Sequence, residues 1–291
     1  IDPKKPYALT KEEEDIMERL ERAFENCEKL QRHMHFLLNK GGLYKVYNGN
    51  LLYHGCVPLK EDGNLKSVRI FGRAYKGKGL YEVLESYVRK GFYAMDPKEK
   101  ERGKDIMWYI WLSENSPLFG KDKMATFERY FLAEKETHKE KKNPYYLLLE
   151  DEKVVEKILK EFGLENEDAH IINGHVPVKT IKGEQPMKAG GKLLVIDGGF
   201  SKAYQPETGI AGYTLVYHSH GLQLVQHDPF QSTQKAIEEG QDIKSTTFVI
   251  EFNSQRMMVK DTDKGKELVT QILDLKKLLV AYRIGLIKEK V

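Results

Sequence analysis

The amino-acid sequence predicts a mixed α/β (α+β) fold. Apolar residues recur at helical spacing near both ends of the chain, whereas strand-like runs separated by turn residues dominate after residue 169. A third observation is an Asn-Gly pair between two short apolar runs at residues 43–53, which is a strong signal for a β-hairpin. We therefore expect helices combined with a mixed β core.

The first predicted element is a long helix over residues 11–40. Thr10 is placed to cap its start, and Glu13 lies three residues on as the partner of a capping box. Gly41 and Gly42 are expected to end it. Apolar residues repeat at helical spacing along it: Ile16, Leu20, Phe24, Cys27, Leu30, Met34 and Leu37.

A predicted hairpin follows, with strands at 43–47 and 50–53 around the turn Asn48-Gly49. His54 emerges directly from the second of these strands. The turn chemistry and the apolar run before His54 together place that histidine at the end of a buried strand.

Residues 63–150 are expected to form an inserted, mostly helical region. Helical patterns cover residues 80–89 and 103–112. The charge run at 134–142 indicates a solvated helix or loop rather than a binding surface.

Strand character dominates the second half of the chain. Two of its strands lead into candidate functional residues, since 169–172 precedes His175 and 192–196 precedes Asp197-Gly198-Gly199. The other predicted elements are an amphipathic helix at 154–162, a hairpin of 212–218 with 222–227, a strand at 246–252 partnered by 255–260, and a closing helix at 264–286 within the segment 264–291.

Composition excludes several classes of function. The formal net charge is +3 on 291 residues, which favours neither a nucleic-acid partner nor an anionic membrane surface. With 40% hydrophobic and 31% charged residues, and with no apolar run of membrane-spanning length, the sequence is typical of a globular protein. The two cysteines, Cys27 and Cys56, do not form a disulfide framework, so a cytoplasmic location is expected.

The start of the sequence predicts a longer protein. Residue 1 is Ile rather than an initiator Met, and residues 1–6 have the composition of a linker. We therefore expect the chain to be the C-terminal part of a larger protein.

Two histidines are the leading candidates for metal ligation. His54 in Leu52-Tyr53-His54-Gly55 and His175 in Asn173-Gly174-His175 each follow a short apolar run and sit beside a glycine. Imidazole suits manganese, iron and zinc. The alternative is a pair of buried histidines that are satisfied by hydrogen bonds, and two imidazoles alone make a weak metal site.

Two further segments are candidates for phosphate binding. In 113–123, Asn115, Lys121 and Lys123 lie around a Gly turn, and lysine is a point-charge phosphate binder. In 197–205, two glycines end a strand and are followed by Lys202 and Tyr204, a cation and a phenol donor. For both segments the alternative is an ordinary solvated turn.

His218 and His220 form a weaker candidate. Alternate residues on a strand share a face, so the two rings could converge on a metal. They lie at a predicted hairpin turn, however, where histidines usually face solvent.

Four motifs taken together resemble class III fructose-1,6-bisphosphatase, the Firmicutes-type enzyme, within the calcineurin-like metallophosphoesterases. The likeness runs over nearly the whole chain, and the motifs are specific in combination rather than singly. They are His54-Gly55-Cys56-Val57-Pro58-Leu59, Asn115-Ser116-Pro117-Leu118-Phe119-Gly120-Lys121-Asp122, Asn173-Gly174-His175-Val176-Pro177-Val178-Lys179, and Ile196-Asp197-Gly198-Gly199-Phe200-Ser201-Lys202-Ala203-Tyr204.

The resemblance implies a β-sandwich flanked by helices, of which this chain supplies the second sheet and a helical insertion over the active site. It implies that His54 and His175 ligate one metal of a dinuclear manganese centre that hydrolyses fructose 1,6-bisphosphate. It also implies that Asn115, Lys121, Lys123, Lys202 and Tyr204 contact the substrate.

The same resemblance exposes a departure. The family's earlier motifs, which supply the bridging Asp, the Asn ligand and the general-acid His, do not occur in this sequence. We therefore expect residues 1–291 to be the C-terminal part of the catalytic domain, inactive alone, with the missing N-terminal part as its partner. A homo-oligomer is left open.

Two alternatives remain at this point. One is another metallophosphoesterase, such as a protein phosphatase. The other is a non-catalytic module that binds a phosphorylated metabolite or a partner chain.

Overall fold

The computed structural model describes residues 4–240 and 244–288. The chain divides into two compact units, Ile1–Gly42 and Leu43–Val291. The first residues of the predicted linker (1–3) and the last residues of the closing segment (289–291) lie outside the described part.

Helices occupy both units. In chain order they are α1 (Lys11–Glu25), α2 (Glu28–Lys40), α3 (Gly77–Tyr93), α4 (Pro97–Leu112), α5 (Thr126–Phe131), α6 (Glu152–Glu161), α7 (Gln205–Thr208), α8 (Thr233–Glu238) and α9 (Asp263–Arg283). Among the described residues, none of these helices combines the length and apolarity that a membrane crossing needs.

The long first helix of the prediction is two helices. The capping box at Thr10 and Glu13 is confirmed. The prediction of one continuous helix over 11–40 is wrong, because the helix is interrupted at Asn26 and Cys27. The side-chain amide of Asn26 donates to the carbonyl of Arg22 at 2.8 Å, and Cys27 has extended backbone angles. An Asn side chain that bonds a nearby carbonyl competes with the helical hydrogen bonds, so the helix ends there.

The strands form three sheets. They are β1 (Tyr44–Tyr47), β2 (Asn50–Tyr53), β3 (Val68–Ile70), β4 (Arg73–Tyr75), β5 (Ile171–Asn173), β6 (Met187–Lys188), β7 (Leu193–Val195), β8 (Gly212–His218), β9 (Gly221–His227) and β10 (Ser245–Phe252). The first sheet is mixed and has the order β1-β2-β5-β7-β6, and the second is antiparallel with the order β10-β9-β8. Strands β3 and β4 form a two-stranded hairpin that the sequence analysis missed.

Three parallel strands lie at the centre of the mixed sheet. β2 pairs with β5, and β5 pairs with β7, in parallel. The edge strands β1 and β6 pair antiparallel with their neighbours. The predicted hairpin of β1 and β2 is confirmed, and its turn residues Asn48 and Gly49 have φ angles of 47° and 77°. That pair of left-handed residues is what a type I′ turn requires.

The second sheet contains both a confirmed and a wrong prediction. The hairpin of β8 and β9 is confirmed. The expected strand at 255–260 does not form, and β10 instead pairs with β9. After β10 the chain returns over the β8–β9 turn, where Asn253 and Met257 donate to the carbonyls of His220 and Ser219.

The core lies on both faces of the mixed sheet. Alternate residues of a strand point to opposite faces. Leu51, Ile171 and Leu193 belong to a cluster that includes Ile158 of α6. On the other face, Ile172 and Leu194 pack with residues of the second sheet, including Leu222. The prediction of an α/β fold with a two-sheet core is therefore confirmed.

The helical region between β2 and β5 has an apolar cluster of its own. The helices predicted at 80–89 and 103–112 lie within α3 and α4, and Leu80, Leu84, Ile106 and Ile110 of these helices are buried together. The helices meet at two glycines: a Cβ added to Gly103 would lie 2.1 Å from the backbone nitrogen of Gly91. Because neither glycine has a side chain, the two helix backbones can approach this closely.

Candidate metal centre at the edge of the mixed sheet

The two candidate histidines meet at one edge of the mixed sheet. β2 ends at Tyr53 and its parallel neighbour β5 ends at Asn173, so the residues that follow emerge side by side. The Nε2 atom of His54 lies 3.1 Å from the Nδ1 atom of His175. The backbone N–H of Gly174 also donates to the carbonyl of His54 at 2.9 Å, which holds the two strand ends together.

His175 has a strained backbone. Its φ angle is 68°, in the left-handed region that residues with a side chain rarely adopt. This conformation costs about 1–2 kcal/mol in a residue other than glycine. Strain of this kind is characteristic of residues that a functional site holds in place.

The environment keeps both imidazoles neutral. Partial burial lowers the pKa of His54, against the opposing effect of Asp197. For His175, burial and then the proximity of His54 and Lys121 lower the pKa to about 4, although the Phe119 backbone and Asp197 act in the opposite direction. A neutral imidazole is the form that ligates a metal.

One ring nitrogen is available for a ligand. The Nε2 atom of His175 is buried and has no hydrogen-bond partner of normal geometry among the described residues. A buried polar atom without a partner is costly unless a ligand satisfies it. The nitrogens that could share a metal are the two that face each other, Nε2 of His54 and Nδ1 of His175, and the unpartnered Nε2 atom of His175 is not one of them.

Asp197 is a third group at this edge; the sequence analysis placed it at the end of a strand but did not count it among the metal or substrate residues. It follows β7, the next parallel strand, and its charge acts on both His54 and His175. Asp197 lies beside the backbone of Gly174, where an added Cβ would be in ordinary contact with the Cβ of Asp197 at 3.5 Å. The signal that could have found it is the strand order, because parallel neighbours deliver their carboxyl ends to one edge.

The candidate histidine pair is not part of a larger cluster of metal-binding side chains in the described residues. Across residues 4–240 and 244–288, no group of three or more His, Cys, Asp or Glu side chains is placed to hold a metal ion. His54 and His175 therefore supply two donors, and Asp197 supplies a nearby negative charge.

A buried hydrogen-bond network connects the last residues of β2 and β5, the strands that lead to the two histidines. The hydroxyl groups of Tyr53 and Tyr145 lie 2.8 Å apart. The side-chain amide of Asn173 donates to the Tyr145 oxygen at 2.8 Å and to the Gly55 carbonyl at 3.0 Å. Both strand ends are thus fixed by the residues next to His54 and His175.

The predicted phosphate residues of 113–123 differ in their surroundings. Lys121 lies close enough to His175 to lower its pKa, and its ammonium group also pairs with Glu140 at 3.0 Å. The ammonium group of Lys123 donates to the carbonyl of Thr137 at 2.7 Å. The side-chain oxygen of Asn115 is buried without a partner in the described structure. Of these residues, only Lys121 is shown to act on the histidine pair.

Lys202 and Tyr204 lie on the loop that follows Asp197. Both are exposed, and the described residues give Lys202 no hydrogen bond or ion pair. Tyr204 packs beside Gly199, where an added Cβ would lie 2.8 Å from the Cβ of Tyr204. The N–H of Gly199 in turn donates to a carboxylate oxygen of Asp197 at 3.0 Å, so this loop is anchored at the candidate site.

His218 and His220 are held by the hairpin turn. The N–H of His220 donates to Nδ1 of His218 at 3.1 Å, and the His220 ring contacts the Asn253 carbonyl and stacks on Phe252. These contacts occupy one nitrogen of each ring, and the Nε2 atom of His218 is buried without a partner among the described residues.

Comparison with known proteins assigns the chain to a family. The profile of the Firmicute fructose-1,6-bisphosphatase family matches residues 1–284. This chain belongs to that family. It is 68% identical to a class 3 fructose-1,6-bisphosphatase of Bacteroides fragilis, 65% identical to that of Bacteroides thetaiotaomicron and 57% identical to that of Clostridium botulinum.

The relatives are much longer than this chain. Each of these alignments covers 100% of the chain but 44% of the relative. No solved structure matches the chain. The family resemblance inferred from the four motifs is thus confirmed.

Proposed function

We propose that this chain carries the histidine half of the active site of a fructose-1,6-bisphosphatase, a hydrolase of gluconeogenesis. The reaction removes the 1-phosphate of fructose 1,6-bisphosphate and leaves fructose 6-phosphate. The observation that carries the proposal is the meeting of two neutral imidazoles, His54 and His175, at 3.1 Å on the edge of the mixed sheet. The names of the relatives support the choice of substrate.

The histidine pair would hold a divalent metal, and we assign manganese to it. The support is the donor set, because both rings are kept neutral and their facing nitrogens, Nε2 of His54 and Nδ1 of His175, lie 3.1 Å apart. When bound, such a metal polarises a phosphoryl oxygen and lowers the pKa of coordinated water. His54 and His175 would hold the ion, and Asp197 would compensate part of its charge.

The remaining metal ligands would come from outside these residues. Two imidazoles and one nearby carboxylate are too few for the dinuclear centre of a calcineurin-like metallophosphoesterase, the superfamily to which we assign the chain. The relatives are more than twice as long as this chain, which leaves room for a second set of ligands. We infer that the N-terminal part of the same enzyme is the partner that completes the site.

Substrate binding falls to the cations around the pair. Lys121 would neutralise the reacting phosphate, because it is the lysine whose charge reaches His175. Lys202 and Tyr204 would contact phosphate from the loop anchored by Asp197. Asn115 and Lys123 are secondary candidates, since Lys123 is already bonded to Thr137.

We also place the enzyme in the cytoplasm. Both cysteines are free, with Cys27 exposed and Cys56 buried. An exposed free thiol suits a reducing compartment. A homo-oligomer remains a prediction that size measurements of the longer protein would test.

The decisive experiment measures phosphate release from fructose 1,6-bisphosphate with Mn²⁺. It compares the 291-residue chain with a longer chain that is extended upstream in its gene. Activity only in the longer chain is the expected result. Activity in the 291-residue chain alone would contradict the proposal that ligands are missing.

Variants make the test specific to the histidines. His175→Ala in the longer chain should lose both activity and Mn²⁺ binding, whereas the matched control His33→Ala on the exposed face of α2 should keep both. A panel that includes a phosphopeptide distinguishes a sugar phosphatase from a protein phosphatase. If the longer chain binds phosphorylated ligands but hydrolyses none of them, the chain is a binding module.

A further inference from the structure

A second basic site lies beside the histidine edge. A cavity of about 210 Å³ is lined by four lysines, Lys60, Lys66, Lys141 and Lys142, and by two glutamates, Glu61 and Glu114. We call this cavity the lysine pocket. It is smaller than the clefts that hold whole drug-sized ligands, so it suits a single charged group.

The charges of the lysine pocket do not balance. Lys66 pairs with Glu114 at 3.3 Å. Within the described structure, the other three lysines have no carboxylate within ion-pair distance. Four ammonium groups against two carboxylates leave a net positive charge, which favours a dianion.

Lys142 lies close to other charged side chains. Its pKa lies below the ordinary value, first because its ammonium group is partly buried and then because Lys121 and Lys179 are near. Glu184 and Glu140 act in the opposite direction. Lys121 and Lys179 lie outside the pocket lining, and the Lys142 ammonium also lies 5.8 Å from the centre of the Tyr146 ring, so a bound anion would add an opposite charge to this group.

The backbone that carries these lysines is rigid. The side-chain oxygen of Asn143 accepts hydrogen bonds from the N–H groups of Leu59 and Tyr145, each at 3.1 Å. The N–H of Lys141 donates to the carboxylate of Asp122 at 2.8 Å. These bonds position the backbone of both walls, so the ordering needed on binding is that of the exposed lysine side chains.

The pocket is joined to the histidine site through one bridge. Lys142 pairs with Lys121 in an isolated antiparallel β-bridge, and the charge of Lys121 acts on His175. A ligand in the lysine pocket would therefore lie near, but apart from, a phosphate held beside the histidines.

We propose that the lysine pocket binds a phosphate monoester dianion at a position separate from the histidine pair. Lys60, Lys141 and Lys142 supply the charge, and lysine binds phosphate as a point charge. The dianion has two sources, the phosphate of a bisphosphate substrate that is not hydrolysed or the phosphate of a second metabolite. The pocket itself does not depend on hydrolysis.

The test is a titration of the 291-residue chain with inorganic phosphate, without metal, followed by calorimetry or by ³¹P line broadening. Lys142→Met and Lys60→Met should each weaken binding about tenfold, because each removes a charge-assisted contact. Lys139→Met is the matched control, since Lys139 is exposed, lies in the same segment and already pairs with Glu136. Equal affinity in the wild-type chain and in both pocket variants would overturn the proposal.

Two further measurements protect the interpretation. Circular dichroism shows whether each variant folds. If Lys142→Met does not fold, Lys60→Met tests the proposal in its place, because Lys60 is an exposed residue. Competition separates the two sources of phosphate. If fructose 1,6-bisphosphate displaces phosphate from the wild-type chain but not from Lys142→Met, the pocket binds a phosphate of the substrate. If phosphate and fructose 1,6-bisphosphate bind at the same time, the pocket serves a second ligand.

The result is independent of the proposed activity. If the longer chain fails to hydrolyse fructose 1,6-bisphosphate, phosphate binding in the lysine pocket still stands or falls on the variants alone.

Discussion

The carboxyl edge of the mixed sheet and the helix pair α3–α4 differ in how well their backbone and polar groups are satisfied. At the edge, His175 has a left-handed backbone, its Nε2 atom has no partner in the described structure, and Lys121 acts on it. In the helix pair, two glycines bring the backbones together over an apolar cluster. Backbone strain and an unpartnered polar atom thus lie at the edge where a ligand could bind, whereas the helix pair contributes stability.

The strongest test of this contrast is His175→Ala in the longer chain. Loss of a metal ligand should lower turnover by more than about a hundredfold, since even residues that only support a ligand cost 10–100-fold. The urea midpoint should hardly fall, because the variant also removes a buried unpaired nitrogen. Near-normal turnover would refute the assignment of His175 as a ligand.

Gly103→Ala tests the other region. The added methyl group would collide with the backbone of Gly91, so the helices must separate, and overpacking of this kind costs about 1–3 kcal/mol. Gly79→Ala in α3 is the matched control. Nothing lies within 4 Å of its Cβ position, so it should stabilise the chain by about 0.5–1 kcal/mol. Urea unfolding measures both, and equal effects would contradict the close glycine contact.

Tyr145→Phe tests whether the buried hydrogen-bond network beside the histidines affects stability alone or metal binding as well. The variant leaves the Tyr53 hydroxyl without its partner and removes one acceptor from Asn173, which should cost about 1–2 kcal/mol. Tyr130→Phe is the control, because Tyr130 is 80% exposed. A loss of metal affinity alongside stability would show that the network also positions the histidines.

The smallest expected effect is a pH dependence. Burial lowers the pKa of His170, against Glu251 and Asp168, so the folded chain favours the neutral ring. The unfolded chain takes up the proton near pH 6.5, and stability is therefore full above that pH and declines as pH falls below it. His170→Gln should reduce the difference between urea midpoints at pH 7.5 and pH 5, whereas His138→Gln should not.

The sequence allowed a large part of the fold to be predicted, because local signals determine it. The Asn-Gly turn, the Thr10 capping box and the apolar periodicity of α3, α4 and α9 all depend on neighbouring residues. The single helix at 11–40 was wrong because one side chain, Asn26, competes with the backbone. The prediction of a strand at 255–260 was wrong because β10 pairs with β9 instead.

The candidate site divides in the same way. His54 and His175 could be named from their strand-end context. The position of Asp197 beside the histidines and the lysine pocket could not, because they depend on strand order and on a bridge between Lys121 and Lys142. Whether a lysine faces a carbonyl, as Lys123 does, or an open cavity is likewise decided by tertiary contacts.

The separation of the two histidines along the chain has a consequence for folding. They lie 121 residues apart, and the segment between them contains the whole α3–α4 pair. Closing so long a loop is slow, whereas a helix pair joined by a short turn assembles from local contacts. The intervening helices should therefore acquire protection from hydrogen exchange early in refolding. The parallel pairing of β2 with β5, and with it the histidine pair, should form among the last events.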